Sequence, residues 1–119
     1  ARKPSDEEMR ALVFNYKVAK HAHSSAVVIG NAGETLGLGS GQSNRSLALS
    51  CAIGLAGERA NGAVIASDSG LLTLDTLEEC RELGITAVIQ TGVPDSKIVR
   101  LCDKYGISLV CTERRHFKA

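Results

Sequence analysis

The chain has 119 residues, 44% of them hydrophobic and 23% charged, with a formal net charge of +1. That length suits a single domain over residues 1–119 with one core, and the near-neutral balance gives no overall pull toward nucleic acid or membrane. Aromatic residues make up only 3% and tryptophan is absent, which argues against a base-stacking platform.

Pro4-Ser5-Asp6-Glu7-Glu8 opens a helix: Ser5 is a cap, and Glu8, three residues on, completes a capping box. Met9, Leu12, Val13, Tyr16 and Ala19 follow at helical spacing as its core stripe, and the helix ends near Lys20 to His23. Ser25 to Ile29 is β-branched and apolar, a strand; Asn31 to Glu34 is a turn, and Thr35 to Leu38 returns as the second strand of a hairpin. Ser46 to Gly57 carries little charge and reads as a buried helix. Then come a strand at Ala63 to Ala66, a helix at Thr73 to Leu83, a strand at Ile85 to Gln90, a helix at Asp95 to Tyr105 and a strand at Ile107 to Cys111. The alternation predicts an α/β fold: a mixed, mainly parallel sheet with an antiparallel N-terminal hairpin and helices on both faces.

Cys51, Cys80, Cys102 and Cys111 form no CxxC pair and sit in apolar stretches. They are expected as reduced core residues of a cytoplasmic protein, not as zinc ligands or a disulfide framework. No apolar run approaches the ~20 residues needed to span a bilayer, and the N-terminus has no hydrophobic signal core. A processed start codon or a cut from a longer chain would each explain the missing initiator Met.

Five segments are candidate sites. Gly37-Leu38-Gly39-Ser40-Gly41-Gln42 leads from strand to helix, with Asn44 and Arg45 beyond it. Backbone N–H groups at such a helix start suit an anion, and a tight small-residue turn is an equal reading. Lys20-His21-Ala22-His23 lacks a carboxylate or Cys to complete a metal set, so cationic residues at a helix C-terminus explain it better. Ser67-Asp68 follows a strand at the end where α/β sheets bind ligands; capping alone would explain one of the two, not both. Gln90 to Asp95 is expected as ordinary turn and helix-start chemistry. Arg115 lies just past the last strand, in a tail whose spacing alone favours a solvated reading.

Taken in order, Lys20-His21 with Ser24, Gly37 to Gln42 with Arg45, Gly62 to Asp68, Gly84 to Gln90, and Arg115-His116-Phe117 resemble the C-terminal part of the AICAR transformylase family, usually joined to IMP cyclohydrolase in one bifunctional protein. The resemblance covers about Pro4 to Lys118. It implies a three-layer, cytidine-deaminase-like domain, the second of two in the family. It also implies transfer of a formyl group from 10-formyltetrahydrofolate to the AICAR amine in purine biosynthesis, without metal, in a homodimer with sites at its interface and with the remainder of the transformylase domain as a further partner. Carried over by position, Ser25, Arg115 and Asp68 stand on the side of the AICAR nucleotide, and Arg45, Asp75 and Gln42 on the folate side. The family's catalytic Lys-His pair lies upstream of this region, so no catalytic residue is assigned here, and Lys20-His21 is not that pair. The absence of His-x-Glu and Pro-Cys-x-x-Cys agrees with a metal-free member of a fold shared with zinc deaminases.

The chain also departs from the pattern. Ser24-Ser25 stands where the family has Ser-Asn, Gly70-Leu71-Leu72-Thr73 where it has Phe-Phe-Pro-Phe, and the loop after Gln90 is shorter. Losing a buried amide and a stacked ring would each cost binding on the order of 1–3 kcal/mol. Three functions are therefore carried forward: part of a formyltransferase, a non-catalytic binding or regulatory relative, and, least supported, deamination.

Overall fold

The computed structural model describes residues 3–21, 27–39, 52–54, 56–68 and 70–112. Helix α1 runs Asp6–His21. The Ser5 hydroxyl accepts the Glu8 N–H at 3.1 Å and the Glu8 carboxylate accepts the Ser5 N–H at 2.8 Å, which is the capping box expected from sequence. Asp6, Glu7 and Glu8 set negative charge against the positive end of the helix dipole.

The buried stripe of α1 is Ala11, Leu12, Asn15, Tyr16 and Ala19. Leu12, Tyr16 and Ala19 face the core as expected, but Met9 and Val13 are 38% and 36% exposed and do not. Asn15 accounts for the difference. Its Nδ2 donates to the carbonyls of Ala11 at 2.8 Å and Asn31 at 3.0 Å, and its Oδ1 accepts from Thr35 Oγ1 at 3.1 Å. These bonds tie the helix to the hairpin and turn residues 11 and 15 inward, leaving 9 and 13 on the rim.

The hairpin is β1 (Val27–Asn31) and β2 (Glu34–Gly39), with Asn31 opposite Glu34 and a bulge between Ile29 and Gly30. Asn31 Oδ1 accepts the Gly33 N–H at 3.1 Å and closes the turn. Gly30 has to be glycine because a Cβ there would meet the Asn15 side chain and lie 2.6 Å from the Glu34 carbonyl oxygen. Of the helix expected over Ser46 to Gly57, residues 52–54 are helical, residues 46–51 and 55 lie outside the described residues, and Gly57–Ala60 is a 3-10 turn.

The rest alternates as the sequence predicts: β3 (Val64–Ser67), α2 (Leu74–Leu83), β4 (Ala87–Thr91), α3 (Ser96–Tyr105) and β5 (Ser108–Thr112). Strands β4 and β5 start later than the apolar runs suggest. The Ile85 and Ile107 amides still close their preceding helices, on the carbonyls of Cys80 at 3.0 Å and Cys102 at 2.9 Å. Asp95 caps α3, its Oδ1 accepting the Lys97 N–H at 3.0 Å.

The sheet order is β2-β1-β3-β4-β5, with β3, β4 and β5 parallel and β1 antiparallel to both β2 and β3. Side chains alternate across it. Val28, Val64, Ala66, Ala87 and Ile89 pack against α1, while Val27, Ile29, Ile65 and Val88 pack against Leu77 and Cys80 of α2 and Ile98 and Cys102 of α3. Each large aliphatic side chain buried this way contributes about 1.5–3 kcal/mol. The result is the three-layer α/β arrangement expected from sequence, with the pairings divided evenly between parallel and antiparallel.

Cys80 and Cys102 are free and buried in that core, their thiols pushed up by burial to about 12 and about 11. Cys111 is half-buried and its thiol is raised for the same reason. Cys51 lies outside the described residues. No helix of the described residues is long and apolar enough to cross a membrane.

Candidate functional site

Chain direction decides where the candidate residues can meet. The parallel strands β3, β4 and β5 end at Ser67, Thr91 and Thr112. Because β1 is antiparallel to β3, its first residue Val27 lies opposite Ser67, and the last residue of β2, Gly39, lies opposite Val27. Five chain ends therefore share one edge of the sheet, the edge where open α/β sheets bind ligands.

Four sequence-predicted site residues, Ser25, Gln42, Arg45 and Arg115, lie outside the described residues, as do His23 and the side chain of His21. What is described is where their segments join the sheet. Ser25 precedes Val27 by two positions in sequence, Gln42 and Arg45 follow Gly39, and Arg115 follows Thr112 by three. Gly37 of the glycine run is part of β2, and a Cβ there would run into the Ala52 carbonyl. Close packing accounts for that glycine.

Asp68 and Asp75 are both described and bracket the loop between β3 and α2. Asp68 follows the buried Ser67 directly and is half-buried, with its Oδ1 enclosed. It does not cap α2. That role belongs to Thr73, whose Oγ1 accepts the Thr76 N–H at 3.2 Å while Thr76 Oγ1 accepts the Thr73 N–H at 2.8 Å. Asp75 is exposed in the first turn of α2, where the helix dipole favours a carboxylate.

Between the loops after β3 and β4 lies a cavity of about 390 Å³, walled by residues 70–73, Thr76 and residues 90–94. No side chain in its lining carries a charge. Its floor is built by a residue that sequence reasoning passed over as turn chemistry. Gln90, 2% exposed, accepts the N–H groups of Leu71 at 3.1 Å and Leu72 at 3.0 Å on Oε1 and donates from Nε2 to the Gly92 carbonyl at 2.9 Å. A polar residue closing an otherwise apolar strand was the available signal. Leu71 and Leu72 are themselves buried, and Thr76 Oγ1 donates to the Leu71 carbonyl at 3.0 Å. The loop is fixed from both sides.

Next to this cavity, the Tyr16 hydroxyl lies 2.6 Å from Thr91 Oγ1 and 2.8 Å from Thr112 Oγ1, tying α1 to the ends of β4 and β5. The Gly92 N–H donates to the Thr112 carbonyl at 2.8 Å, so the loop after β4 is held against the last described residue of β5. Lys20, one turn past Tyr16, has its Nζ 5.9 Å from that ring's centroid. Among the described residues no group of three or more His, Cys, Asp or Glu side chains is placed to hold a metal ion.

Known proteins agree with this architecture. The family model described as AICARFT/IMPCHase bienzyme matches residues 1–54. The bifunctional purine biosynthesis protein PurH of Listeria monocytogenes is 46% identical over 119 residues, 98% of this chain and 23% of that protein. The proteins of the same name from Shouchella clausii and Desulfitobacterium hafniense are 47% and 43% identical over the same shares. The chain thus spans under a quarter of the length of these curated relatives. Among solved structures, Acinetobacter baumannii RibD superposes with a TM-score of 0.57 at 18% identity, over 87% of this chain and 33% of that one. The dCMP deaminase of cyanophage S-TIM5, in complex with dCMP and dUMP, superposes with a TM-score of 0.58 at 10% identity, over 87% of this chain and 93% of that one. At such identities the likeness shows the fold alone, a cytidine-deaminase-like α/β domain. With relatives at this level of identity along nearly its whole length, the chain belongs to the AICARFT/IMPCHase bienzyme family.

Proposed function

We propose that this chain supplies part of the ligand site of a folate-dependent formyltransferase of purine biosynthesis, passing a formyl group from 10-formyltetrahydrofolate to AICAR. The observation that carries the reading is the shared sheet edge: Val27, Gly39, Ser67 and Thr112 are the strand ends next to which Ser25, Gln42 with Arg45, Asp68 and Arg115 stand in sequence, and Thr91 ends the strand between the last two. In this reading Ser25, Asp68 and Arg115 serve the nucleotide, with Arg115 suited to a bidentate phosphate contact. Arg45, Asp75 and Gln42 serve the folate. The amine nitrogen bonds to the formyl carbon, an oxyanion forms and collapses, the carbon–nitrogen bond to the folate breaks, and the proton lost by the amine is balanced by one gained at the departing folate nitrogen. The groups that move the proton belong to a segment outside this chain, and a second copy completes the site as a cytoplasmic homodimer.

The test is calorimetric titration of the full-length protein with AICAR and a folate analogue, in wild-type, Arg115→Ala and Asp75→Asn forms. The reading expects Arg115→Ala to weaken AICAR and Asp75→Asn to weaken the folate analogue, each by on the order of tenfold or more. A folded full-length protein that binds neither ligand defeats it. In that event the second reading, a non-catalytic relative, takes its place. One observation favours that alternative: residue 71, where the family pattern has a phenylalanine ring, is a leucine buried in the core.

A further inference from the structure

We infer that Gln90 is a positioning residue for the folate-side ligand. It acts through the backbone of the two loops that wall the carboxyl-end cavity. The inference rests on the formyltransferase reading and adds a residue to it.

Three facts carry it. First, Gln90 is buried at the end of a strand whose other described positions from Ala87 to Ile89 are apolar, and burying a primary amide is costly unless its polar atoms are paired. Second, its bonds run to two different loops. Oε1 holds Leu71 and Leu72 on one wall and Nε2 holds Gly92 on the other, so one planar group fixes the spacing between the walls. Third, the first of those loops leads through the Thr73–Thr76 capping pair straight into the turn that bears Asp75. A shift of residues 71 and 72 moves the start of α2, and Asp75 with it. Gln90 lines the cavity as well, yet all three of these bonds are spent on backbone. Its effect on a ligand is therefore to hold the walls in register before binding, which lowers the ordering cost at binding.

The experiment compares full-length wild type, Gln90→Met and Gln90→Glu. Methionine keeps the volume and removes all three bonds. Glutamate keeps the acceptor for Leu71 and Leu72 and removes the donor to Gly92. Two quantities are read: amide hydrogen exchange at Leu71 and Leu72, and the KM for each substrate beside kcat. In Gln90→Met the two amides exchange faster by on the order of tenfold or more, because they lose their buried acceptor. The KM for the folate rises on the order of tenfold, while the KM for AICAR and kcat stay within about twofold. Gln90→Glu falls between wild type and Gln90→Met in both readouts. A folded Gln90→Met with wild-type folate KM overturns the inference. So does a variant in which both KM values are unchanged and kcat falls with the folded fraction, which is the mark of a purely structural role. Should Gln90→Met not fold, Gln90→Glu decides by the same criteria. A wild-type protein without formyl transfer takes down the underlying reading, and this inference with it, before any variant is made.

Discussion

The Tyr16 hydroxyl lies 2.8 Å from Thr112 Oγ1, a contact that joins the first helix to the end of the last strand across 96 positions of sequence. Tyr16→Phe removes this bond and the one to Thr91. Thr112 Oγ1 retains Thr91 Oγ1 and the Gln90 carbonyl, each at 3.4 Å, as weaker partners, so the cost is held to about 1 kcal/mol. Urea unfolding is expected to show a lower midpoint at unchanged slope. An unchanged midpoint would mean the hydroxyl holds nothing together.

Gly30→Ala drives a methyl group into the Asn15 side chain and toward the Glu34 carbonyl. Overpacking of this kind costs about 1–3 kcal/mol. Asn15→Ala alone is also destabilising, since it strips the bonds between α1 and the hairpin. The double variant should lose less than the sum of the two, because the part of the clash that falls on the Asn15 side chain is then gone while that with the Glu34 carbonyl stays. Additive losses in a double-mutant cycle would refute the coupling.

Thr73→Ala removes the Oγ1 that accepts the Thr76 N–H. A lost cap costs about 1 kcal/mol. The same residue orders the loop toward Asp75, so exchange at the amides of residues 73 to 76 is expected to rise with the loss of stability. Thr73→Ser, which keeps an accepting oxygen, should restore both.

The buried thiols give stability a pH dependence of known sign. Folding raises Cys80 from 9.0 to about 12 and Cys102 from 9.0 to about 11, chiefly by burial. The folded state therefore holds these protons more tightly than the unfolded chain. Their contribution is complete below pH 9 and is lost as pH rises toward 11 and 12. Melting temperature should fall across that window, and the fall should be shallower in Cys80→Ala. An equal slope in wild type and variant would show that other groups govern the alkaline limb.

Much of this fold was legible in the sequence. The Ser5–Glu8 pair, Thr73 and Asp95 mark three helix starts, and a cap is a local device that sequence spacing reports directly. The stripe of α1 was only half legible. Apolar periodicity picked Met9 and Val13, whereas Asn15 is buried for its bonds to a hairpin sixteen and twenty positions away, at Asn31 and Thr35. Gln90 escaped for a related reason: its Oε1 partners, Leu71 and Leu72, stand nineteen and eighteen positions away on a loop that the sheet brings to it. Ser67 and Asp68 read as two polar residues where a cap needs one, and the structure gives the cap of α2 to Thr73 instead.

The reversal of β1 and β2 against the parallel strands also gives the molecule two unlike ends. The tight turns at residues 32–33, 61–62 and 84–86 gather where the parallel strands begin, at the opposite end from Ser67, Thr91 and Thr112. On the proposed function, the chain can therefore be lengthened there without disturbing the ligand site. A short glycine-serine graft between Ala32 and Gly33 should leave ligand affinity intact, whereas the same graft between Gly92 and Val93 should erase it.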